Sequence, residues 1–334
     1  MKPVARPLRD GTRIPAIGVG TFGSDRYSAS DVAGGVETAL EIGYRLVDCA
    51  AVYGNENAVG RTLASALSGG LARDDVFVMS KVWNDHHAPD RVRASVEKSL
   101  ADLQLDHLDA CFIHWPFPNT HAHHAHVDDR DPGARPYLNA DFMRTWGALE
   151  DLVDEGLVRH AGLSNVTVPK LKLILPECRI QPSLAEIEHH PTLQQGELLQ
   201  HLMDHDIQVV GYSPLGSPSR PERDRTEADL VDLESSAVVE IAGRRGLTPA
   251  QVCVAWAVNR GVVPIPFSVK EHQLRELLQA ATVRLTPQEM NALRGEDRNN
   301  RLIKGHVFLW EGAGSWLDLW DVDGTIPGWQ GYAS

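Results

Sequence analysis

Short apolar runs alternate along this chain with longer stretches in which apolar residues recur every three or four positions, and the two periods predict two kinds of element. The short runs are Ile17–Gly20, Leu46–Asp48, Val76–Ser80, Leu108–His114, His160–Ser164, Ser183–Glu188, Gln208–Tyr212 and Val262–Phe267. Largely apolar rather than alternating, they read as strands of a parallel sheet covered on both faces. Stretches between them, such as Ala33–Ile42, Ala88–Leu103, Asp141–Glu155 and Leu198–His205, carry one apolar face each and predict helices laid over that sheet. Thr248-Pro249 and Thr286-Pro287 put a capping hydroxyl before a proline at the first helical position, so helices are expected to open there.

About eight such units follow one another without a Pro- or Gly-rich divider, which predicts a single α/β domain over residues 1–334, a closed (β/α)8 TIM barrel. Three long polar segments break the rhythm: Phe117–Asn139, Gly216–Glu234 and the tail 301–334. Segments that follow barrel strands gather at the C-terminal face, so these are expected as loops over a substrate or cofactor. A Gly-x-Gly-x-x-Gly fingerprint between a first strand and helix is absent, which argues against a doubly wound dinucleotide-binding domain.

Charge and cysteines narrow the picture. Lys plus Arg number 32 against 45 Asp plus Glu, a formal charge of −13, which disfavours general binding to nucleic acid or anionic membrane. No run approaches the roughly 18 to 20 apolar residues of a membrane span, and the opening MKPVARPLRD lacks the apolar core of an export signal. Cys49, Cys111, Cys178 and Cys253 are scattered and mostly sit in apolar stretches, as reduced packing residues do. A cytoplasmic protein, a monomer or weak homo-oligomer, is the expectation.

The candidate chemistry lies at strand ends. Asp48 follows Leu46-Val47, Tyr53 comes five residues later, Lys81 follows Val78-Met79-Ser80, and His114 follows Cys111-Phe112-Ile113. In a barrel all four reach one mouth, and a carboxylate, a phenol, an ammonium and an imidazole together suit proton transfer. Singly each has a bland reading: a helix cap, a loop aromatic, a solvated strand end, a core histidine. A Schiff-base lyase or isomerase built on Lys81, and a barrel that binds a nicotinamide without turning it over, are the competing functions.

The motifs GYRLVDCAAVYGNENAVG, MSKVWN, IHWPF, GLSN and GYSPLGSP occur in this order at barrel spacing, between an opening RDGTRIPAIGVGTF and a closing RNNRL. Through them the chain resembles the aldo-keto reductases over essentially its whole length. The resemblance implies an N-terminal β-hairpin before the barrel and an enzyme that reduces small aldehydes, aldoses or ketoses reversibly with a nicotinamide cofactor. It implies Tyr53 as general acid and base, Lys81 and Asp48 as its supporting ion pair, and His114 as the group that orients the carbonyl. It assigns Ser164 and Asn165 to the nicotinamide carboxamide, Tyr212 to its ring, and Ser213, Leu215 and Ser217 to the pyrophosphate. Phe22, Trp83, Trp115 and Phe117 would wall the substrate pocket, Phe22 standing where a tryptophan is common, with Trp310, Trp316 and Trp320 either closing over it or packing outside the barrel.

Two departures from the family pattern matter. Glu186 stands where a glutamine usually meets the carboxamide, and it is expected to accept a hydrogen bond there. Ile265-Pro266-Phe267-Ser268, with Gln273 beyond it, lacks the usual lysine and arginine of an NADP site. Ser268 with Lys270 or Arg275 would compensate, so NADP(H) is favoured and NAD(H) stays open. The run His121–His126, with Asp128 and Asp129, has metal-ligating residue types, but it reads as a solvated loop and no metal site is assigned.

Overall fold

The computed structural model describes residues 4–23, 26–117, 134–218, 220 and 225–327. A hairpin of β1 (Ala5–Pro7) and β2 (Arg13–Pro15) precedes eight parallel strands: β3 (Val19–Gly20), β4 (Leu46–Asp48), β5 (Phe77–Val82), β6 (Leu108–Ile113), β7 (Val158–Ser164), β8 (Leu184–Glu188), β9 (Gln208–Tyr212) and β10 (Val263–Pro264). Each pairs with its sequence neighbour, and the N–H groups of Gly18 and Gly20 donate to the carbonyls of Pro264 and Pro266 at 3.0 Å, joining the first strand to the last. The result is a (β/α)8 barrel. Its seam is shorter than the apolar runs predicted, because Pro264 and Pro266 have no N–H to add to the ladder.

Helices α1 (Ala29–Ile42), α2 (Glu56–Ser68), α3 (Pro89–Leu103), α4 (Asn139–Asp154), α5 (Val168–Glu177) and α6 (Gly196–Asp204) alternate with the strands. After β9 come α7 (Ser236–Arg245) and α8 (Pro249–Asn259), and after β10 come α9 (Glu271–Ala280) and α10 (Pro287–Arg294). Thr248 and Thr286 do cap α8 and α10, each in a reciprocal pair with Gln251 and Glu289. α7 and α10 stand outside the eight repeats and pack together, tied by Arg245 Nε to Glu289 Oε1 at 2.8 Å.

Alternation within the strands sorts the core. Val47, Val78, Cys111, Ile113, Ala161, Leu163, Ala185, Ile187 and Val209 face the helices in one large cluster. Leu46, Phe77, Met79, Ala110, Phe112, Leu184, Val210 and Val263 fill the barrel, and Leu8 and Ile14 of the hairpin region join them at the N-terminal end. Gly162 lets this layer close, since a Cβ there would lie 2.4 Å from the Phe112 ring. Among the described residues no helix is long and apolar enough to cross a membrane.

Candidate active site

Following the inward positions of each strand toward its C-terminal end shows how the site arises. Leu46 gives way to Asp48, Met79 to Lys81, Phe112 to His114, Leu184 to Glu186 and Glu188, and Val210 to Tyr212, so apolar filling turns into a polar mouth at one level. The four expected residues Asp48, Tyr53, Lys81 and His114 come together there. Lys81 lies inside β5 rather than beyond its end. Tyr53 closes a single 3-10 turn, Ala51–Tyr53, pinned to the first barrel strand where Asn55 Nδ2 donates to Thr21 O at 2.7 Å.

Lys81 is the hub. Its Nζ donates to Asp48 Oδ1 at 2.6 Å and Cys49 O at 3.0 Å, and lies 3.3 Å from Glu186 Oε1 and 5.4 Å from the centre of the Tyr53 ring. Lys81, Asp48 and Glu186 are all buried, with no bulk water to stabilise their charges. Burial pulls against the Lys81 ammonium, yet Asp48, Glu186 and Tyr53 together hold it well above the ordinary lysine range. An amine kept charged in this way is a poor Schiff-base nucleophile. For Tyr53 burial is the largest influence and raises the phenol, while Lys81, next in size, pulls it down. The pull of Lys81 toward phenolate is thus outweighed, and the phenol keeps its proton. Burial and then Lys81 push His114 well below the usual histidine range, leaving a neutral ring.

Tyr53 and His114 are half-buried and meet edge to face at 5.9 Å between ring centres. Phe22 lies 5.2 Å from Tyr53, and Trp83 4.9 Å from His114, so these two flank the reactive pair. Trp115 and Phe117 are buried instead, in a cluster with Phe308, Leu309, Leu319 and Trp320 of the tail. The Trp115 ring lies tilted 4.6 Å from Phe308 and edge-on 5.6 Å from Trp320, with Trp310 and Trp316 at the cluster's edge. The tail therefore covers the aromatic side of the mouth rather than the barrel exterior.

The predicted cofactor residues run along the other side. Asn165 holds a positive φ of 54°, donates from Nδ2 to His114 O at 2.9 Å, and accepts the Tyr212 hydroxyl at 2.6 Å. Ser164 Oγ lies 3.3 Å from the same amide. Glu186 turns Oε1 toward Lys81, while its buried Oε2 has no hydrogen-bond partner among the described residues. Ser213, Gly216 and Ser217 hold positive φ in one tight turn, with Ser217 Oγ donating to Ser213 Oγ at 2.5 Å, and the Leu215 side chain packs against the core. Gly216 is obligatory, since at φ 71° a Cβ would lie 2.3 Å from Asp232 Oδ2. Ser268 Oγ accepts the Lys270 N–H at 3.0 Å and donates to Gln273 Oε1 at 2.7 Å. Arg275 pairs with Glu271 at 2.7 Å one helical turn away. The His121–His126 run lies outside the described residues.

The sequence reading missed a second buried network. His190 bridges Glu188 Oε1 and Asp232 Oδ2, both at 3.0 Å, with all three side chains fully buried. Glu188 also accepts the N–H groups of Leu302 at 2.8 Å and Ile303 at 3.1 Å, with Arg301 3.6 Å away. This junction ties β8 to both the 216–234 segment and the tail. The available signal was the dense polar stretch Glu186–His190 inside an otherwise apolar pattern.

A barrel whose mouth gathers a protonated phenol, a charged lysine and a neutral imidazole is the architecture of an enzyme that moves a proton at a polarised oxygen. The sequence profile described as Aldo/keto reductase family matches residues 16–297. An aldo/keto reductase of Synechocystis is 40% identical over 319 residues, covering 94% of this chain and 95% of that protein. Aldo-keto reductase family 1 member A1 of Bos taurus is 38% identical over 298 residues, 89% and 90% of the two chains. Among solved structures, a Bombyx mori aldo-keto reductase in complex with NADP superposes with a TM-score of 0.80 at 29% identity, covering 91% of this chain and 95% of that one. The chain belongs to the aldo/keto reductase family. It is an NAD(P)H-dependent oxidoreductase of carbonyl compounds.

Proposed function

We propose that this enzyme reduces small aldehydes, aldoses or ketoses to alcohols, reversibly, with Tyr53 as general acid in reduction and general base in oxidation. The observation that carries the reading is the buried Lys81 ammonium, 2.6 Å from Asp48 and lying over the Tyr53 ring. Tyr53, protonated and half-exposed, gives its proton to the carbonyl oxygen. Lys81 then faces the phenolate left behind, and Asp48 keeps Lys81 charged and in place. His114, neutral and beside Tyr53, donates to the same oxygen and orients it. Phe22, Trp83 and the tail cluster over Trp115 and Phe117 keep water from that oxygen.

The residues fit a nicotinamide dinucleotide. Ser164, Asn165 and the unpartnered Glu186 oxygen offer a polar set for a carboxamide, Tyr212 a flat ring, and the Ser213–Ser217 turn a backbone suited to a pyrophosphate. When bound, that cofactor supplies the hydride. NADP(H) is the preferred form in this reading: the Bombyx mori relative is complexed with NADP, and exposed Lys270 sits beside Ser268, whereas Arg275 is engaged by Glu271. NAD(H) is the competing outcome, decided by dissociation constants for NADPH and NADH in wild type and Lys270→Ala. Residues 1–334 are taken as one barrel domain with 117–139, 216–234 and 301–334 as its loops, and the protein as cytoplasmic.

Tyr53→Phe tests the central assignment. Cofactor binding, followed by fluorescence, should be nearly unchanged while kcat falls about 10²- to 10⁴-fold. Retention of more than about a tenth of kcat would sink the acid–base role.

A further inference from the structure

One cation serves two buried carboxyls at the mouth. Lys81 Nζ sits closer to Asp48 than to Glu186, 2.6 against 3.3 Å, and the two carboxyls are within hydrogen-bonding contact of each other. Two ionised carboxylates at that separation repel, and a hydrogen bond between them requires a proton on one. Glu186 is the natural holder. It has the longer contact to the ammonium, and among the described residues no protein group donates to its Oε2 to support a negative charge.

Among the described residues nothing further neutralises it. Asp48 faces Glu186 from β4, Lys81 from β5, Tyr53 from the turn after β4, and Tyr212 from β9. Lys81 is the sole cation of that set. Glu188, on the same strand, is occupied by His190 and the tail. With Glu186 protonated, the Asp48–Lys81 pair is electrically balanced; with Glu186 ionised, the cluster carries a net negative charge against Tyr53.

The geometry points to Glu186 as a positioning residue of the reaction, one that shares a proton with Asp48 and sets, through charge on the Lys81 cluster, the pH range over which Tyr53 remains an acid. Burial and Asp48 raise the Glu186 carboxyl to about 8, with Lys81 opposing, so the proton leaves near the operating range. Once it has left, the new charge opposes phenolate formation at Tyr53, since Glu186 acts to raise that phenol. Carbonyl reduction is thereby protected on the alkaline side. Alcohol oxidation, which needs the phenolate, is held back there.

This inference rests on the acid–base reading of Tyr53, and its test separates the two. Infrared spectra of wild type should show the carbonyl stretch of a buried protonated carboxyl that disappears as pH rises through about 8. Glu186→Gln should lack that band. In Asp48→Asn, where the repelling charge is gone, the band should disappear at lower pH. This second variant keeps the test open if Glu186→Gln folds poorly. In kinetics, Glu186→Gln should move the alkaline limb of kcat for reduction down by about one pH unit, and the rise of alcohol oxidation down with it, the scale of one nearby charge. An absent band, a band unchanged in Glu186→Gln, or limbs that do not move would each overturn the proposal. Turnover surviving in Tyr53→Phe would instead defeat the acid–base reading, and the infrared titration would still report on Glu186 alone.

Discussion

Glu186 and Glu188 stand two residues apart on one strand, point inward, and are equally buried, yet their protons behave oppositely. Glu188 is held below the usual carboxylate range: His190, Arg301 and the Leu302 N–H together outweigh the burial that would raise it. Glu186 is raised, because burial and Asp48 outweigh its share of Lys81. The lesson is that burial does not decide ionisation; the count of donors aimed at the group does. The strand has made one carboxyl a fixed anchor and the other a movable proton store.

The strongest way to break this contrast is to remove the shared cation. Lys81→Met should lower stability in urea unfolding by about 3 to 5 kcal/mol, because Asp48 loses its buried salt-bridge partner. A loss below about 1 kcal/mol would mean that the cluster is solvated rather than sealed. Glu188→Gln comes next, at about 2 to 3 kcal/mol, since it leaves the imidazolium and two backbone donors on a neutral acceptor. Hydrogen exchange at Leu302 and Ile303 should rise with it. An unchanged exchange rate would show that the tail is held elsewhere.

The pH dependence of stability sharpens the comparison further. His190 is raised to about 9 by its two carboxylates against burial, so its contribution is complete below about 6.5 and is lost as pH climbs through about 9. Glu186 also binds its proton more tightly folded than unfolded, so its cost grows as pH rises from about 4.5 to about 8. Glu188 has the opposite sign, losing its contribution as pH falls below the ordinary carboxylate range. Stability should therefore fall by about 4 to 5 kcal/mol in all between pH 6.5 and 9, and Glu186→Gln should flatten only the lower part of that slope. The smallest effect is Glu186→Gln itself at pH 7. It should change stability by less than about 1 kcal/mol in either direction, since a neutral amide replaces a neutral acid. A cost near that of Glu188→Gln would erase the distinction drawn between the two.

The strands and the four residues at their ends were readable because a covered parallel strand is written as an apolar run, and Asp48, Lys81 and His114 interrupt such runs with charged or polar groups at one level. Tyr53 was readable only through the motif around it, as loop aromatics are common. What could not be read is what depends on closure. Glu186 meets Lys81, and Glu188 meets Leu302, across barrel and tail with 114 residues separating the second pair, and no local period encodes either contact. Trp115 and Phe117, expected to wall the substrate pocket, are buried against apolar partners from the tail, a contact that no local pattern encodes. Asn165, assigned to a ligand, also latches Tyr212 to the end of β6, a pairing visible only once β7 and β9 are in place.

The tail is fastened at its two ends, with only the short 3-10 turns His306–Phe308 and Trp316–Leu319 as regular structure between them. At one end Glu188 grips Leu302 and Ile303; at the other Asp321 is held by Lys170 and Thr167, with Trp320 Nε1 donating back to Lys304 O at 2.9 Å. Residues between these clamps form a span whose ends are specified by the barrel and whose middle is specified by little besides the aromatic floor under it. Such a span is an exchangeable tile. Substitutions along it can reshape what the mouth admits while the proton machinery beneath is left untouched, so in a lineage carrying this scaffold substrate preference is free to drift faster than chemistry.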